Sequence, residues 1–433
     1  MIKTKIVATV GPGCNSEAVL AGMIDAGVNV FRLNFSHGSL DDHAEAVRRI
    51  RLLAGKKRAF VAIMGDLCGP KIRLGEIADG KCELREGQTV LIQRQPVLGT
   101  PDRVSTNYPA LIDEVREGHR VLIDDGNVLL RVQEKQPDAV VCLCEVAGTI
   151  SDRKGINLPD SRLSTPTLTE KDRRDLQWAM ENDLDFIALS FVRRPEDLEQ
   201  LHDILKGYQS DMKVVSKIEK PEAIEQLEKI IALSDVVLVA RGDLGVEMEV
   251  CRVPLIQKEI TLLCRRQGKP VIIATQMLQS MVDAPVPTRA EVSDVANAIL
   301  DSTDAVMLSA ETSVGKYPLA AVRMIRKIAE QTESFGQHYG DELGASGTSL
   351  FPVAKAVVRA AALVAADLNV PAVALWTDHG DSPRLLCKLR LTQPIAAFTA
   401  DERVCRQMAI LYGVFPVHRP QVLGLHSFME QAD

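Results

Sequence analysis

The stretch VVSKIEKPEA, residues 214–223, puts charge into an apolar run. Its flanks have the composition of a buried parallel strand, and side chains two apart on a strand point the same way. Lys217 and Glu219 therefore share one face near the end of that strand. A further carboxylate, Asp243, stands in ARGDLG, residues 240–245, directly after the apolar run VVLV. Two carboxylates on neighbouring strand ends suit one hard divalent cation, with Mg²⁺ keeping positions open for substrate oxygens. A lysine beside them offers a positive point charge to a transferring phosphoryl group or an enolate. The competing reading is a buried Lys217–Glu219 ion pair with a structural role only. Such pairs are costly to bury and often add no net stability, and the nearby Asp243 favours chemistry.

Other residues extend the pattern. FRLNFSHG, residues 31–38, alternates so that Arg32, Asn34 and Ser36 share a face. An inward arginine at the mouth of a barrel is an anion clamp more often than a core residue. Asn34, Ser36 and Asp66 are oxygen donors suited to a monovalent cation, whereas His37 by itself reads as a surface histidine. Gly242 and Gly245 leave the backbone around Asp243 uncovered, so its N–H groups are open to a substrate carboxylate. Alone, RGDLG is a common turn.

Elements that could gather these residues are visible in the periodicity. TKIVATVG, VNVFRLNFS, AFVAIMGDL, FIALSF, KVVSKIE, VVLVAR, PVIIATQ and AVMLS are strand-like, and helical patterns such as residues 16–25 and 40–53 separate them. Eight strand–helix units predict a (β/α)8 TIM barrel, whose chemistry sits at the carboxyl ends of its strands. The polar residues fall there: Arg32, Asn34 and Ser36, Asp66, Lys217 and Glu219, Arg241 and Asp243, Thr275, and Ser309. The pattern breaks between the third and fourth strands, where residues 70–165 read as short strands with an Asp-Gly turn in LIDDGNV. A β-rich insertion there would hang over the barrel mouth as a lid. The expected organisation is a catalytic barrel from residues 1–69 and 166–337, a lid from 70–165, and a C-terminal α/β domain from 338–433. In that last domain a helix is expected to begin at Pro352 and another to span residues 383–390.

Composition narrows the classes. With 433 residues, 46% hydrophobic and 25% charged, the chain is long enough for two or three packed domains and too apolar for disorder. A net charge of −7 with no basic block argues against nucleic-acid binding. Nine cysteines without zinc-finger spacing fit a reducing compartment, with Cys142 and Cys144 as small core residues. No run is long enough to span a membrane and no signal sequence is evident, so a cytoplasmic location is expected.

Six motifs, TKIVATVGP, NVFRLNFSHG, SKIEKPEA, VARGDLGVE, KPVIIATQMLQSM and PTRAEVSDVANAILDSTDAVMLSAET, resemble pyruvate kinase in order from the first barrel strand to the last. RVLIDDG and RKGINLP resemble that family's lid. The resemblance implies a β-barrel lid after strand 3. It also implies Mg²⁺-dependent phosphoryl transfer from phosphoenolpyruvate to ADP, giving pyruvate and ATP in the final step of glycolysis, with Mn²⁺ as an alternative metal. Arg32 and Lys217 would hold the phosphate, and Glu219 and Asp243 the metal. Gly242, Asp243 and Thr275 would take the substrate carboxylate. Thr275 and Ser309, with ordered water, would relay the final proton. Asn34, His37, Arg73 and Lys154 match nucleotide contacts, and Asn34, Ser36, Asp66 and the Leu67 carbonyl match a K⁺ site. Members are usually homotetramers.

Two departures stand out. DLCGPKIR, residues 66–73, replaces the family's usual Asp-Thr-Lys-Gly-Pro-Glu-Ile-Arg, so Lys71 stands where many members have glutamate. Its ammonium would supply the positive charge of the monovalent site, and with Leu67 and Leu74 this fits the potassium-independent subgroup. The alternative is a Lys71 that points to solvent from a hinge. TDHGDSPRLL, residues 377–386, lies where the family has a phosphate-binding effector loop. Asp378 and Asp381 are poor neighbours for a sugar phosphate, so activation by one is not expected. Members usually continue for several more elements, so the C-terminal domain is expected to be incomplete. Two other classes fit the residues less well. A metal-dependent aldolase or lyase would have no need of Arg32, Lys217 and a nucleotide lid together. A non-catalytic descendant would have lost Lys217, Glu219, Asp243 or Thr275, and all four are present.

Overall fold

Alternation decides which side chains see the barrel axis. In the computed structural model, which describes residues 2–336 and 352–420, eight parallel strands close into a ring. They are Lys5–Thr9 (β1), Val28–Asn34 (β2), Ala62–Asp66 (β3), Phe186–Leu189 (β4), Lys213–Ile218 (β5), Val236–Ala240 (β6), Val271–Ala274 (β7) and Ala305–Leu308 (β8). Each strand pairs with its neighbours in sequence, and β8 pairs with β1 through Lys5 opposite Ala305 to shut the ring. Val7, Val30, Met64, Ala188, Val215, Leu238, Ile272 and Met307 fill the interior. The alternate residues Ile6, Phe31, Ile63, Ile187, Val214, Val237, Ile273 and Val306 pack under the helices. Both faces are dry, as a parallel sheet requires.

Two residues on from the interior apolar positions, toward the mouth, the same face carries Thr9, Arg32, Asp66, Ser190, Lys217 and Ser309. Period two thus delivers the polar set to one opening. Arg241 obeys the same rule and points away: it pairs with Asp294 of the Arg289–Leu300 helix at 2.6 Å. The expectation that Arg241 shares the polar cluster is corrected by that parity.

Surrounding helices are fixed by their ends. Ser16 caps Glu17–Ala26, and Ser39/Asp42, Thr169/Asp172 and Thr288/Glu291 form capping boxes. Asp172 does double duty, because its other oxygen accepts from Gly69 N at 3.1 Å where the chain leaves the barrel.

The insertion after β3 forms a six-stranded sheet and a two-stranded ribbon around a core that includes Val90, Ile92, Val121, Leu130 and Val140. Its Asp-Gly turn has Asp124, Asp125 and Gly126 all at positive φ, joining Arg120–Ile123 to Val128–Gln136. Cys142 and Cys144 are buried, and all nine cysteines are free thiols.

After the barrel, the Pro352–Asp367 helix precedes a three-stranded parallel sheet of Val373–Trp376, Ile395–Thr399 and Val414–His418. The helix expected at 383–390 runs instead over Asp381–Cys387. Gly380 takes a left-handed conformation that starts it earlier, and Arg390 at φ 52 lies past its end. This unit docks on the barrel floor, where Lys5 Nζ donates to Val414 O at 2.7 Å and Lys388 pairs with Asp304. The expectations for GQHYGDELGASGTS after its first residue, and for the tail from Gln421, lie outside the described residues. Among the described residues no helix is long and apolar enough to cross a membrane.

Candidate active site

At the mouth, β2, β3, β4 and β5 bring Arg32, Asp66, Ser190 and Lys217 together. Arg32 Nε donates to Asp66 Oδ2 at 2.6 Å and its Nη1 to Thr9 Oγ1 at 3.0 Å. Lys217 Nζ lies 2.8 Å from Glu219 Oε1 and 3.3 Å from Asp66 Oδ1, and donates to Ser190 Oγ at 2.8 Å. All of these groups are buried. Asp66 therefore takes a cation on each oxygen, while Lys217 is shared by two carboxylates and a hydroxyl.

Left-handed backbone shapes this site at Phe191, Thr275 and Gln276. Phe191 at φ 57 turns its N–H onto Glu219 Oε2 at 2.9 Å. Gly69, at φ 66, lies against it, and a Cβ there would meet the Phe191 ring at 2.6 Å. Thr275 and Gln276 are both left-handed, at φ 71 and 54, an uncommon state for a β-branched residue. That turn lets Thr275 Oγ1 accept from Gly242 N at 2.6 Å, in the first turn of the Arg241–Glu247 helix.

Charge balance sets the protonation states. Burial alone would lower the Lys217 pKa, but Asp66 and Glu219 outweigh it and hold the ammonium above its usual value. Burial works against ionised Asp66 too, and Lys217 and Arg32 overcome it, leaving that pKa lowered. Burial pushes the Glu219 carboxyl up, and although Lys217 opposes this, Asp243 adds to it. Glu219 with Asp243 is thus a carboxylate pair short of positive charge, which is the condition a divalent cation relieves. Asp243 itself is exposed.

Two clefts meet at Asp243. One, of about 270 Å³, runs between lid and barrel and is lined by Lys71, Arg73, Lys154 and Lys220. The other, of about 610 Å³, is lined by Gly242, Thr275, Gln276 and Ser309. Lys154 is paired with Asp124 at 2.7 Å, and the Arg73 guanidinium donates to Arg153 O at 2.9 Å. His37 is exposed and outside both linings. Slight burial, then Lys71, Arg73 and Arg32, lower its pKa, which marks a cationic surrounding. Asn34 Oδ1 accepts from Ser36 N at 3.1 Å, and the Leu67 carbonyl accepts from Ser190 Oγ at 2.6 Å. Lys71 is exposed but lines the first cleft.

Sequence reasoning missed Ser190 and Thr9. The signal was present for both: each is the polar residue at its own strand end, in FIALS and KIVAT. A serine or threonine between apolar neighbours reads as a core residue until its partners are seen.

Comparison with known proteins gives a consistent picture. The family model described as pyruvate kinase, barrel domain, matches residues 1–322, and that described as pyruvate kinase, alpha/beta domain, matches residues 355–432. The chain is 43% identical over 431 residues to the pyruvate kinase of Mycobacterium tuberculosis (strain ATCC 25618 / H37Rv), covering 99% of this chain and 90% of that protein. It is 41% identical over 433 residues to the pyruvate kinase of Geobacillus stearothermophilus, covering 99% and 74%. A crystal structure of a pyruvate kinase from Cryptosporidium parvum superposes with a TM-score of 0.93 at 36% identity, covering 100% of this chain and 90% of that one.

Proposed function

This chain belongs to the pyruvate kinase family, and from that premise we propose how its barrel mouth performs the transfer of a phosphoryl group from phosphoenolpyruvate to ADP. One observation carries the reading. Lys217 is held charged between Asp66 and Glu219 beside Arg32, and it interacts electrostatically with Asp243, which lines both the cleft under the lid and the cleft in the barrel mouth.

Arg32 and Lys217 bind the phosphate and meet the charge that spreads over its oxygens during transfer. A substrate carboxylate fits at the helix start where Gly242 N now faces Thr275 Oγ1. Glu219 and Asp243 are the residues that would hold Mg²⁺, or Mn²⁺ in its place. A metal held by these two carboxylates would supply charge neutralisation and orientation for the substrate oxygens. Arg73 and Lys154 face the nucleotide, with Asn34 and His37 at the edge of its site. Thr275 and Ser309, through water, deliver the proton to the enolate carbon. Lys217 is a poor direct acid, because two carboxylates keep its proton in place. Closure of the insertion shields phosphoenolpyruvate from hydrolysis.

Asn34, Ser36, Asp66 and the Leu67 carbonyl have the chemistry of a monovalent-cation site. Asp66 is already neutralised by Arg32 and Lys217, and Lys71 adds its charge at the same opening. We therefore propose that K⁺ is dispensable, that the working form is a homotetramer, and that it acts in the cytoplasm. The test follows pyruvate release from phosphoenolpyruvate and ADP in buffer free of potassium and sodium. Activity is expected to vanish on chelation of Mg²⁺ and to return with it, with most of the rate present before K⁺ is added. No pyruvate under any ion condition would overturn the activity, and a rate that needs K⁺ would overturn the role of Lys71.

A further inference from the structure

We propose that Ser190, at the carboxyl end of β4, positions Lys217 for phosphoryl transfer without neutralising it. The proposal rests on the reading of Lys217 as the lysine that meets the phosphoryl group. An ammonium has three protons to donate and no lone pair. Here all three have partners: Glu219 Oε1 at 2.8 Å, Ser190 Oγ at 2.8 Å and Asp66 Oδ1 at 3.3 Å. Ser190 must therefore accept, and its own proton must go elsewhere. The Leu67 carbonyl, 2.6 Å away, takes it. Asp66 Oδ1, at 3.4 Å, is the poorer alternative. A hydroxyl locked in this sense keeps a lone pair aimed at Lys217, and at 2% exposure water does not compete for it.

The residue type matters. Were Lys217 held by carboxylates alone, both would draw it into the ion pair and away from an arriving phosphate. A third carboxylate would orient it as well as the serine does, but would cancel the charge that the phosphoryl group needs. A neutral acceptor does the first without the second. The turn supports this assignment, since the next residue, Phe191, holds a left-handed backbone and gives its N–H to Glu219 Oε2 at 2.9 Å. Successive residues of one strained turn thus grip both members of the Lys217–Glu219 pair. Ser190 neither touches substrate nor gives up a proton, so it is a positioning residue.

The experiment compares Ser190→Ala, Ser190→Cys, Lys217→Met and the Ser190→Ala/Lys217→Met double variant in the full chain. Each is followed by kcat and KM for phosphoenolpyruvate and by Tm. Loss of a hydrogen bond to a charged group predicts a fall in kcat of about 10- to 100-fold for Ser190→Ala. The KM should change less than about threefold, because the loss falls on the transition state. Ser190→Cys, similar in size and a weaker acceptor, should lie between serine and alanine. In the Lys217→Met background, Ser190→Ala should cost nothing further, because its effect passes through the missing ammonium. Additive losses, or a kcat that falls only as far as Tm does, would overturn the proposal, as would an unchanged kcat in Ser190→Ala. A Lys217→Met variant that keeps its rate would instead overturn the reading of Lys217 on which the proposal stands.

Discussion

At the scale of single residues, the mouth of this barrel is a charge-balancing device in which each group owes its state to its neighbours. Glu219 shows this best: burial and Asp243 push its pKa up, and Lys217 and the Phe191 N–H pull it down. Glu219→Gln keeps the shape and removes the charge, so Lys217 would keep Asp66 and Ser190 as partners while the carboxylate pair loses a member. The expected outcome is a loss of about 10²- to 10³-fold in kcat, the range for removing one preorganised electrostatic group, together with a higher Mg²⁺ requirement. A Mg²⁺ titration of the rate checks both parts. Most of this cluster was legible beforehand, because lysine and glutamate inside an apolar strand have no comfortable structural role. Ser190 was not, since its function is a hydrogen-bond direction, and that depends on what lies 2.8 Å away.

Among elements, the contact between insertion and barrel has the clearest consequence. Asn157, on the lid strand Ile156–Asn157, donates to Glu247 Oε1 at 2.7 Å, and Lys220 from the end of β5 pairs with the same oxygen. Glu247 ends the short helix that begins with Arg241, Gly242 and Asp243. Lid position is thereby tied to the helix that carries Asp243. Asn157→Ala removes one hydrogen bond, worth about 1 kcal/mol, and should raise KM for ADP more than KM for phosphoenolpyruvate. Glu247→Gln leaves the buried Lys220 without its carboxylate and should destabilise the barrel by about 3–5 kcal/mol. Steady-state kinetics and denaturant unfolding separate the two effects. An Asn157→Ala enzyme with both KM values unchanged would refute the link. Sequence showed that the insertion exists and where it leaves the barrel, but its seat depends on side-chain pairing across residues far apart in the chain.

For the whole molecule, the floor of the barrel is as specific as its mouth. Asp183 and Asp185 receive Arg403 and Arg406 from the C-terminal unit, and Lys5 is sealed beneath Val414 and Phe415. Burial lowers the Lys5 pKa from 10.5 to about 8, against the pull of Glu333, Cys387 and Asp304. The sign follows from proton counting. Below about pH 8 both native and unfolded chains hold this proton, and the native state bears the full cost of the buried charge. Between about 8 and 10.5 the unfolded chain keeps a proton that the native chain has lost, so this site's contribution to stability rises with pH. The stability of Lys5→Met relative to wild type should therefore decline as pH rises through that window. Urea unfolding at pH 7, 8, 9 and 10 measures it, and a difference that stays constant would refute the assignment.

The amino-acid sequence by itself determined the eight strand–helix repeats, the opening on which the polar residues gather, and the family. Periodicity is local, so a chain two residues per pleat and 3.6 per helical turn writes its faces into its own order. The pairing of Arg241 with Asp294 and the hydroxyl direction of Ser190 were settled only by tertiary structure. Each depends on a partner distant in sequence, Asp294 or Lys217, and hydrogen bonds and ion pairs form where groups meet in space, whatever their separation along the chain.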